Sequence, residues 1–573
     1  MIPRPYQQEA VDATLSMLRG SDESPCVVLP TGTGKSIVIA TLAKYVIQKF
    51  NRRVLILASR KELIEQNAEK IRLAEPSLDV GIYSAGLGRR DTDAGITVAG
   101  VQSVYRRAAE IGPIDLVIVD EAHEIPPDGE GMYRTLLLDL QEQTPSMRIV
   151  GMTATPFRLS GGAICKPDNL LTAVSYEASI RDMIADGFLC KLTSKAGKRH
   201  ADLSGVHIQG GEFKADEVAA IMDDEKLVRS ACSELVAAAR NRVAALVFCA
   251  SIEHAEHVAA EIGRLTGDAV GIITGETPPA ERDDLIARIR GEEVMADLLQ
   301  PHEPLKWLVN VNVLTTGFDA PRIDTVCLMR ATMSPGLYVQ MVGRGSRLSD
   351  GKEDCLILDF GNNIVRHGPV DMVGIQEKAT KDGTGEMPGK ECPECQEVVF
   401  ISVMLCPNCG HEWETKPRHE AVAGDESILS GEITDEVFDV RSVSYMDWEK
   451  RGDPDAPHTM RVDYEIGFAE YQSEWVCPGH IGYARGKFTT WWLDRSMVPP
   501  PTSAMEAVRL AQDGAIAEPS QITVRTVSGE KFKRVIGYVL PGKPEYFMEP
   551  GEDHHIPLDT YDEIDYLGDD IPF

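Results

Sequence analysis

The stretch CVVLPTGTGKS (26–36), together with DLVIVDEAH (115–123), decides how the first third of this chain is read. Four apolar residues make a short strand, a glycine-broken turn follows, and a helix-like run from Ser36 to Lys49 begins at once. Gly32 and Gly34 let the backbone amides of Thr31–Gly34 turn inward at a helix N-terminus, the arrangement that cradles phosphate. Lys35 adds a point charge for the β and γ oxygens, and the Ser36 hydroxyl can hold a magnesium ion. The strict spacing of such a loop has a glycine seven places before the serine; here Leu29 stands there. The run DLVIVD ends in Asp120, which can hold magnesium through water, and Glu121, which can polarise an attacking water. Both acids fall at the C-terminal end of a strand, where sites of α/β sheets lie.

Outward from these motifs, short apolar runs alternate with helix-like stretches, which predicts a parallel sheet covered by helices. The strands read CVVL (26–29), VLILA (54–58), ITVAG (96–100), DLVIVD (115–120) and RIVGMTA (148–154). The alternation returns at AALVFCA (244–250), LVNV (308–311), DTVCLM (324–329) and DCLILDF (354–360), so the fold class is α/β with two separate lobes. The expected division is a first lobe over 1–156, an interlobe connection or insertion over 157–242 and a second lobe over 243–377. A linker and cysteine module follow over 378–415, a small mixed α+β domain over 416–548 and an acidic tail over 549–573.

The order of motifs resembles the superfamily 2 helicases over about residues 1–365, which implies two RecA-like lobes closing on ATP. RPYQ (4–7) resembles the adenine-reading motif, in which Gln7 contacts the base edge; LASRKELIEQ (57–66) and VAGVQS (98–103) resemble the segments that grip a nucleic-acid backbone. TAT (153–155) resembles the motif that couples hydrolysis to strand movement. In the second lobe VNVLTTGFDAP (311–321) and QMVGRGSR (340–347) resemble the motifs that complete the site. By that resemblance Gly317 and Asp319 approach the nucleotide, Gln340 faces the phosphates, and Arg344 and Arg347 act as arginine fingers. A cleft with Lys35 and Glu121 on one side and arginines on the other is competent only when closed, so alternate closing and opening becomes stepping along a strand.

CPEC (392–395) followed by CPNCGHEW (406–413) supplies two tight thiolate turns, and Cys392, Cys395, Cys406 and Cys409 are expected to hold Zn²⁺ as a structural ribbon. His411 and the pair Cys477/His480 in CPGH are weaker candidates for a second metal site; a buried polar pair is the favoured reading of the latter. Lobes, ribbon and a C-terminal unit containing SEWVCPGHIGYARGKFTTWW (473–492) resemble the bacterial RadD family of DNA repair ATPases and related phage proteins, which implies work on single-stranded or branched DNA with RecA and single-strand binding protein. Trp491 and Trp492, with Tyr483, Arg485 and Lys487 nearby, could stack on unpaired bases. Aromatic residues at this density more often build a core, and that reading is favoured.

The chain has 573 residues and a net charge of −31, too acidic in total to advertise a polyanion partner. The distribution matters more: residues 371–573 hold 18 Lys+Arg against 39 Asp+Glu, so the acidity gathers in the last third. No Lys or Arg follows Lys543, and the chain ends YDEIDYLGDDIPF. This ending resembles the tip of single-strand binding protein, which implies that Asp569, Asp570, Ile571, Pro572 and Phe573 dock on proteins that read that tip, or occupy the chain's own cationic groove. No apolar run reaches eighteen residues and no leader-like segment opens the chain, so the expectation is a cytoplasmic protein without membrane contact. The combined expectation is a DNA-stimulated ATPase, a helicase or translocase of repair, recombination or replication. An RNA helicase, a restriction-type motor subunit and an ATP-switched recruitment factor are the rivals.

Overall fold

A computed structural model describes residues 2–126, 131–158, 162–166, 169–196, 201–203, 205–209, 212–292, 294–297, 300–315, 318–368, 370, 389–391, 398–400, 433–450, 456–467, 470–480, 482–527 and 533–546. The first lobe opens with helix α1 (Pro5–Gly20). Eight strands follow: β1 (Pro25–Val28), β2 (Val54–Ala58), β3 (Val80–Ser84), β4 (Arg89–Arg90), β5 (Ile96–Gly100), β6 (Leu116–Val119), β7 (Arg148–Thr153) and β8 (Ala173–Glu177). They form one sheet in the order β8-β1-β7-β6-β2-β5-β3-β4, parallel except for the β3–β4 hairpin. The central strands are apolar on both faces because helices cover both. Val54, Ile56 and Ala58 enter one core with α2 (Lys35–Phe50) and α3 (Lys61–Ala74), whereas Leu55 and Leu57 enter the other.

This strand order positions the motifs. Because β7 lies between β1 and β6, the TAT turn at its C-terminal end stands between the glycine loop after β1 and the acids after β6.

Within the stretch expected as an interlobe connection, β8 pairs with β1 as the edge of the first sheet, and helix α4 (Ile180–Ala185) leads into β9 (Lys191–Ala196), which pairs with the second sheet. Much of that stretch is therefore shared out between the lobes rather than inserted between them. The second sheet continues with β10 (Ala245–Cys249), β11 (Val270–Ile273), β12 (Trp307–Asn310), β13 (Thr325–Met329) and β14 (Asp354–Asp359), all parallel in the order β9-β14-β13-β10-β12-β11. Helix α5 (Pro335–Gly343), capped by Ser334 Oγ accepting from Leu337 N–H, delivers the GRGSR turn.

Two short antiparallel strands, Gly389–Glu391 and Val398–Phe400, flank the first cysteine pair in sequence. Cys392, Cys395, Cys406, Cys409 and His411, and the acidic tail with Asp569–Phe573, lie outside the described residues.

The C-terminal unit has β15 (Ile433–Asp439), β16 (Ser442–Trp448), β17 (Thr459–Gly467), β18 (Glu470–Val476), helices α6 (Gly482–Leu493) and α7 (Ala504–Gln512), then β19 (Gln521–Val527) and β20 (Arg534–Val539). Its sheets are β16-β17-β18 and β15-β19-β20, all antiparallel. Trp492 is fully buried and Trp491 nearly so, both against Phe488 and the sheet residues Met460, Val462 and Ile522. The favoured core reading of these tryptophans holds. The unit packs on the first lobe, α6 against α1, and Arg525 spans to Asp182 and Asp186.

Candidate functional site

The glycine loop takes the shape its sequence requires. Gly32 (φ +92°) and Gly34 (φ +79°) occupy the left-handed region, where a side chain is strained. A Cβ on Gly34 would also lie 2.8 Å from the Gln7 amide nitrogen. Thr33 Oγ1 donates to Pro30 O at 2.6 Å, and the Thr33 carbonyl accepts from Tyr6 Oη (2.7 Å) and Gln7 Nε2 (2.8 Å). Gln7 is 1% exposed, and its Oε1 accepts from Arg4 N–H at 2.9 Å. Its amide thus braces the glycine loop from behind, a structural task beyond the base-edge contact that the motif implies. Thr31 is buried, and Lys35 and Ser36 open α2 at the loop's end.

Across β7 the two acids are buried but not alike. Asp120 Oδ2 accepts from Asn67 Nδ2 at 2.8 Å and Oδ1 from Glu121 N–H at 2.9 Å. Burial, and then the charge of Glu121, push the Asp120 carboxyl up to about 6, against Lys35 and the Asn67 amide. Glu121 lies at φ +49°, an uncommon backbone conformation for a side chain of this size and a mark of a locally strained turn. Burial raises its carboxyl, but Lys35, His123, Arg344 and Arg60 outweigh burial and hold it below the ordinary value. Glu121 is therefore the acid kept ionised, with Lys35 Nζ 3.8 Å from its Oε1.

His123 ties three motifs together. Its Nδ1 lies 3.4 Å from Glu121 Oε2 and 3.0 Å from Thr153 Oγ1, while its Nε2 lies 3.3 Å from Gln340 Nε2 in the other lobe. Thr153 Oγ1 in turn donates to Thr155 O and accepts from Thr155 N–H, both at 3.0 Å, so the TAT turn is locked onto the histidine.

The second lobe meets the glycine loop directly. Ser346 Oγ donates to Thr31 O at 3.1 Å, and a Cβ on Gly343 would sit 2.6 Å from Thr31 Cβ, so only glycine permits this approach. Arg344, 4% exposed, donates to Phe318 O (2.5 Å) and Thr315 O (2.6 Å) of its own lobe. Burial and then Arg347 bring its pKa down to about 9, with Glu121 and Asp319 opposing, so it stays a cation at neutral pH. Arg347 Nε pairs with Asp319 Oδ1 at 2.9 Å, its Nη1 is buried without a hydrogen bond, and its Cγ would stand 3.2 Å from a Cβ on Gly32. Both arginines expected as fingers are thus at the glycine loop or in the field of Glu121, while Asp319 holds one of them. Gly317 lies outside the described residues.

Anion cradle, lysine, buried acids and a buried guanidinium nitrogen fit a nucleoside triphosphate with magnesium. Ser36 and Asp120 are the residues suited to the ion. Sequence reasoning missed Asn67 and His123 as site residues. Asn67 directly follows the quoted run 57–66, and His123 closes the DEAH motif itself; the signal was present, but the partners of each are 53 and up to 217 residues away. Cys477 and His480 join no metal-ligand cluster among the described residues; the one such group there is Asp223, Glu253 and His257, in which Asp223 and His257 are an ion pair.

Comparison with known proteins agrees with this geometry. Residues 1–158 match the family described as "Type III restriction enzyme, res subunit", and residues 227–349 match the "Helicase conserved C-terminal domain". IRC3 of Schizosaccharomyces pombe, named as a mitochondrial ATP-dependent helicase, is 32% identical over 385 residues, covering 63% of this chain and 58% of its own length. IRC3 of Saccharomyces cerevisiae, named as an ATP-dependent helicase, is 28% identical over 369 residues, covering 62% and 51%. An endonuclease subunit of the type I restriction enzyme EcoAI of Escherichia coli is 23% identical over 420 residues, covering 66% and 48%. This chain spans about half the length of these relatives. The two matched segments, residues 1–158 and 227–349, coincide with the two parallel-sheet lobes, the first bearing the glycine loop and acids and the second the arginine-bearing turn.

Proposed function

We propose that the chain is an ATP-driven motor on DNA, a helicase or translocase of repair, recombination or replication. The observation that carries it is the line from Glu121 through His123 to Gln340, which joins the acid next to the phosphate cradle to the opposite lobe. Magnesium, when bound, would supply charge neutralisation at the phosphates. Ser36 and Asp120 would hold it, Lys35 neutralises the phosphates, and the Thr31–Gly34 amides orient them. Glu121, kept anionic by its cationic neighbours, orients water and takes its proton. Arg344 and Arg347 stabilise charge as it develops, an effect worth orders of magnitude in rate. Because Arg344 and Arg347 come from the second lobe, hydrolysis proceeds only with the lobes closed, and closure alternating with opening moves the strand held by segments 57–66 and 98–103.

A restriction-type motor subunit is the second reading, favoured by the family matched over residues 1–158 and by the EcoAI relative. A nuclease assay with magnesium separates it. In either reading Cys392, Cys395, Cys406 and Cys409 hold Zn²⁺, to be checked by metal analysis of wild type against Cys406→Ser. The tip Asp569–Phe573 recruits proteins that dock on single-strand binding protein; deleting those five residues and measuring pull-down tests this. The deciding experiment for the motor is ATP hydrolysis by wild type and Lys35→Ala with single-stranded, duplex and forked DNA, and with RNA. Hydrolysis that no nucleic acid stimulates refutes the proposal, and stimulation by RNA alone redirects it to RNA.

A further inference from the structure

At the open edge of the first sheet, β3 turns back through Ala85–Leu87 and Gly88 (φ +64°) into β4, so that Tyr83 pairs with Arg90 and Ser84 with Arg89. Asp91 fixes the return: its carboxylate accepts from Ile82 N–H at 2.9 Å and pairs with Arg89. The hairpin is tied to the turn after β5, where Ala85 N–H donates to Ser103 Oγ at 2.9 Å. That turn carries Arg106 and Arg107, so four exposed arginines, Arg89, Arg90, Arg106 and Arg107, lie on the hairpin and the turn tied to it. Glu110 registers the clustering. Its carboxyl is held below the ordinary value by Tyr83 Oη (2.7 Å), with Arg107 and Arg90 adding to the effect.

In a chain of net charge −31 such a surface is a local exception, and two of its cations are not spent internally. Among the described residues Arg90 and Arg106 form no ion pair; the Arg106 guanidinium lies over the Tyr105 ring, 5.1 Å from its centroid. The strand order places it. The C-terminal ends of β2, β5 and β3 are consecutive neighbours, so Ser59–Lys61, the turn 101–107 and the hairpin form a row. At about 4.8 Å per strand the hairpin stands roughly 10 Å beyond the end of β2, a reach of about three nucleotides along a strand.

We infer that the Arg89–Arg90 hairpin is a phosphate-contacting arm, extending the nucleic-acid track of the first lobe past the two gripping segments to the edge of the sheet. The inference rests on the motor reading and adds to it an element outside the motifs. Charge on an edge strand also guards against pairing with another chain. That role alone would leave nucleic-acid affinity unchanged, which makes the two distinguishable.

The test is fluorescence anisotropy of the full-length protein with labelled dT20 across about 50–200 mM salt. Each phosphate contact on a single strand contributes roughly 0.7 to the slope of log affinity against log salt. Arg89→Ala/Arg90→Ala should therefore flatten the slope by about 1.4 and weaken binding several-fold at the lowest salt. Arg90→Ala alone, which leaves the Arg89–Asp91 pair in place, should flatten it by about 0.7, and Arg89→Lys/Arg90→Lys should restore most of it. ATP hydrolysis without nucleic acid should not change. A double variant with wild-type slope and affinity overturns the arm while leaving the motor intact. Wild-type protein that neither binds dT20 nor responds to any nucleic acid overturns both.

Discussion

Replacing His123 by alanine tests whether the link between the lobes is part of the chemistry. The imidazole faces the Glu121 carboxylate at 3.4 Å, Thr153 Oγ1 at 3.0 Å and Gln340 Nε2 at 3.3 Å. Its side chain is 18% exposed and that of Glu121 9%, so water replaces these contacts poorly. A neutral hydrogen bond is worth about 1 kcal/mol net and one to a charged group about 1.5–3 kcal/mol. Losing the Gln340 contact together with the support of Glu121 should cost roughly 2–3 kcal/mol in the transition state, or about 30- to 150-fold in kcat. Binding of a fluorescent ATP analogue should change less than about threefold, since Lys35 and the Thr31–Gly34 amides are untouched. His123→Gln, which can still reach one partner, should recover part of the rate. The assay is DNA-stimulated phosphate release beside analogue titration, with thermal melting to confirm folding. A His123→Ala protein that melts normally and turns over at the wild-type rate refutes the reasoning, as does one that has lost nucleotide binding while its kcat is preserved.

Gly343→Ala should place its methyl 2.6 Å from Thr31 Cβ and prop the lobes apart; turnover should fall at least tenfold while analogue binding persists, and small-angle scattering with ATP analogue should show a failure to close. Arg525, 4% exposed, joins Asp435 to Asp182 and Asp186, so Arg525→Ala leaves three carboxylates without their shared cation; the C-terminal unit should loosen by about 3 kcal/mol and become sensitive to limited proteolysis. His254 is 1% exposed, and burial pulls its pKa down to about 4. The unfolded chain then binds more protons than the folded one between about pH 4 and 6.5, so stability should fall on acidification through that window, by about 3 kcal/mol in total, and His254→Gln should flatten the dependence in urea melts at pH 7 and 4.5.

The sequence was most legible where burial on both faces writes an uninterrupted apolar run. The runs 26–29, 54–58, 96–100, 115–120 and 148–154 all became strands, displaced by no more than a residue or two at their ends. Edge strands were harder. β8 (AVSYE) and β9 (KLTSKA) have a sheet neighbour on one side only and carry polar residues, so they do not stand out from a loop. That is why the stretch between the lobes read as a separate insertion. Within the site, a motif tells which residue types converge but not how each is held. Gln7 was legible through the resemblance of RPYQ to an adenine-reading motif, yet its hydrogen bonds run to Arg4 and Thr33, and nothing local to RPYQ names Thr33. Asn67 and His123 act through partners brought near only by the strand order. Trp491 and Trp492 could be read correctly because aromatic density without regular cationic spacing is what a small core looks like.

The attachment of the C-terminal unit has a mechanical consequence for the two-lobe cleft. α6 packs on α1, the helix whose first turn holds Gln7 against the glycine loop, and Arg525 and Arg534 both reach Asp182 in α4. From α4 the chain passes through Phe188, whose ring stands 4.7 Å from that of Tyr6, to Leu189, which would stand 3.3 Å from a Cβ on Gly32. The unit therefore grips the first lobe at two elements that both lead into the glycine loop. When the second lobe moves against Thr31, the loop must keep its shape for the phosphates to stay aligned, and rigid backing on its far side favours that. Arg525 is buried and Arg534 is not, so added salt should screen the outer pair first and leave the inner one standing. Loosening of the unit should thus proceed in two stages, and only the second, which frees α4, should raise the KM for ATP.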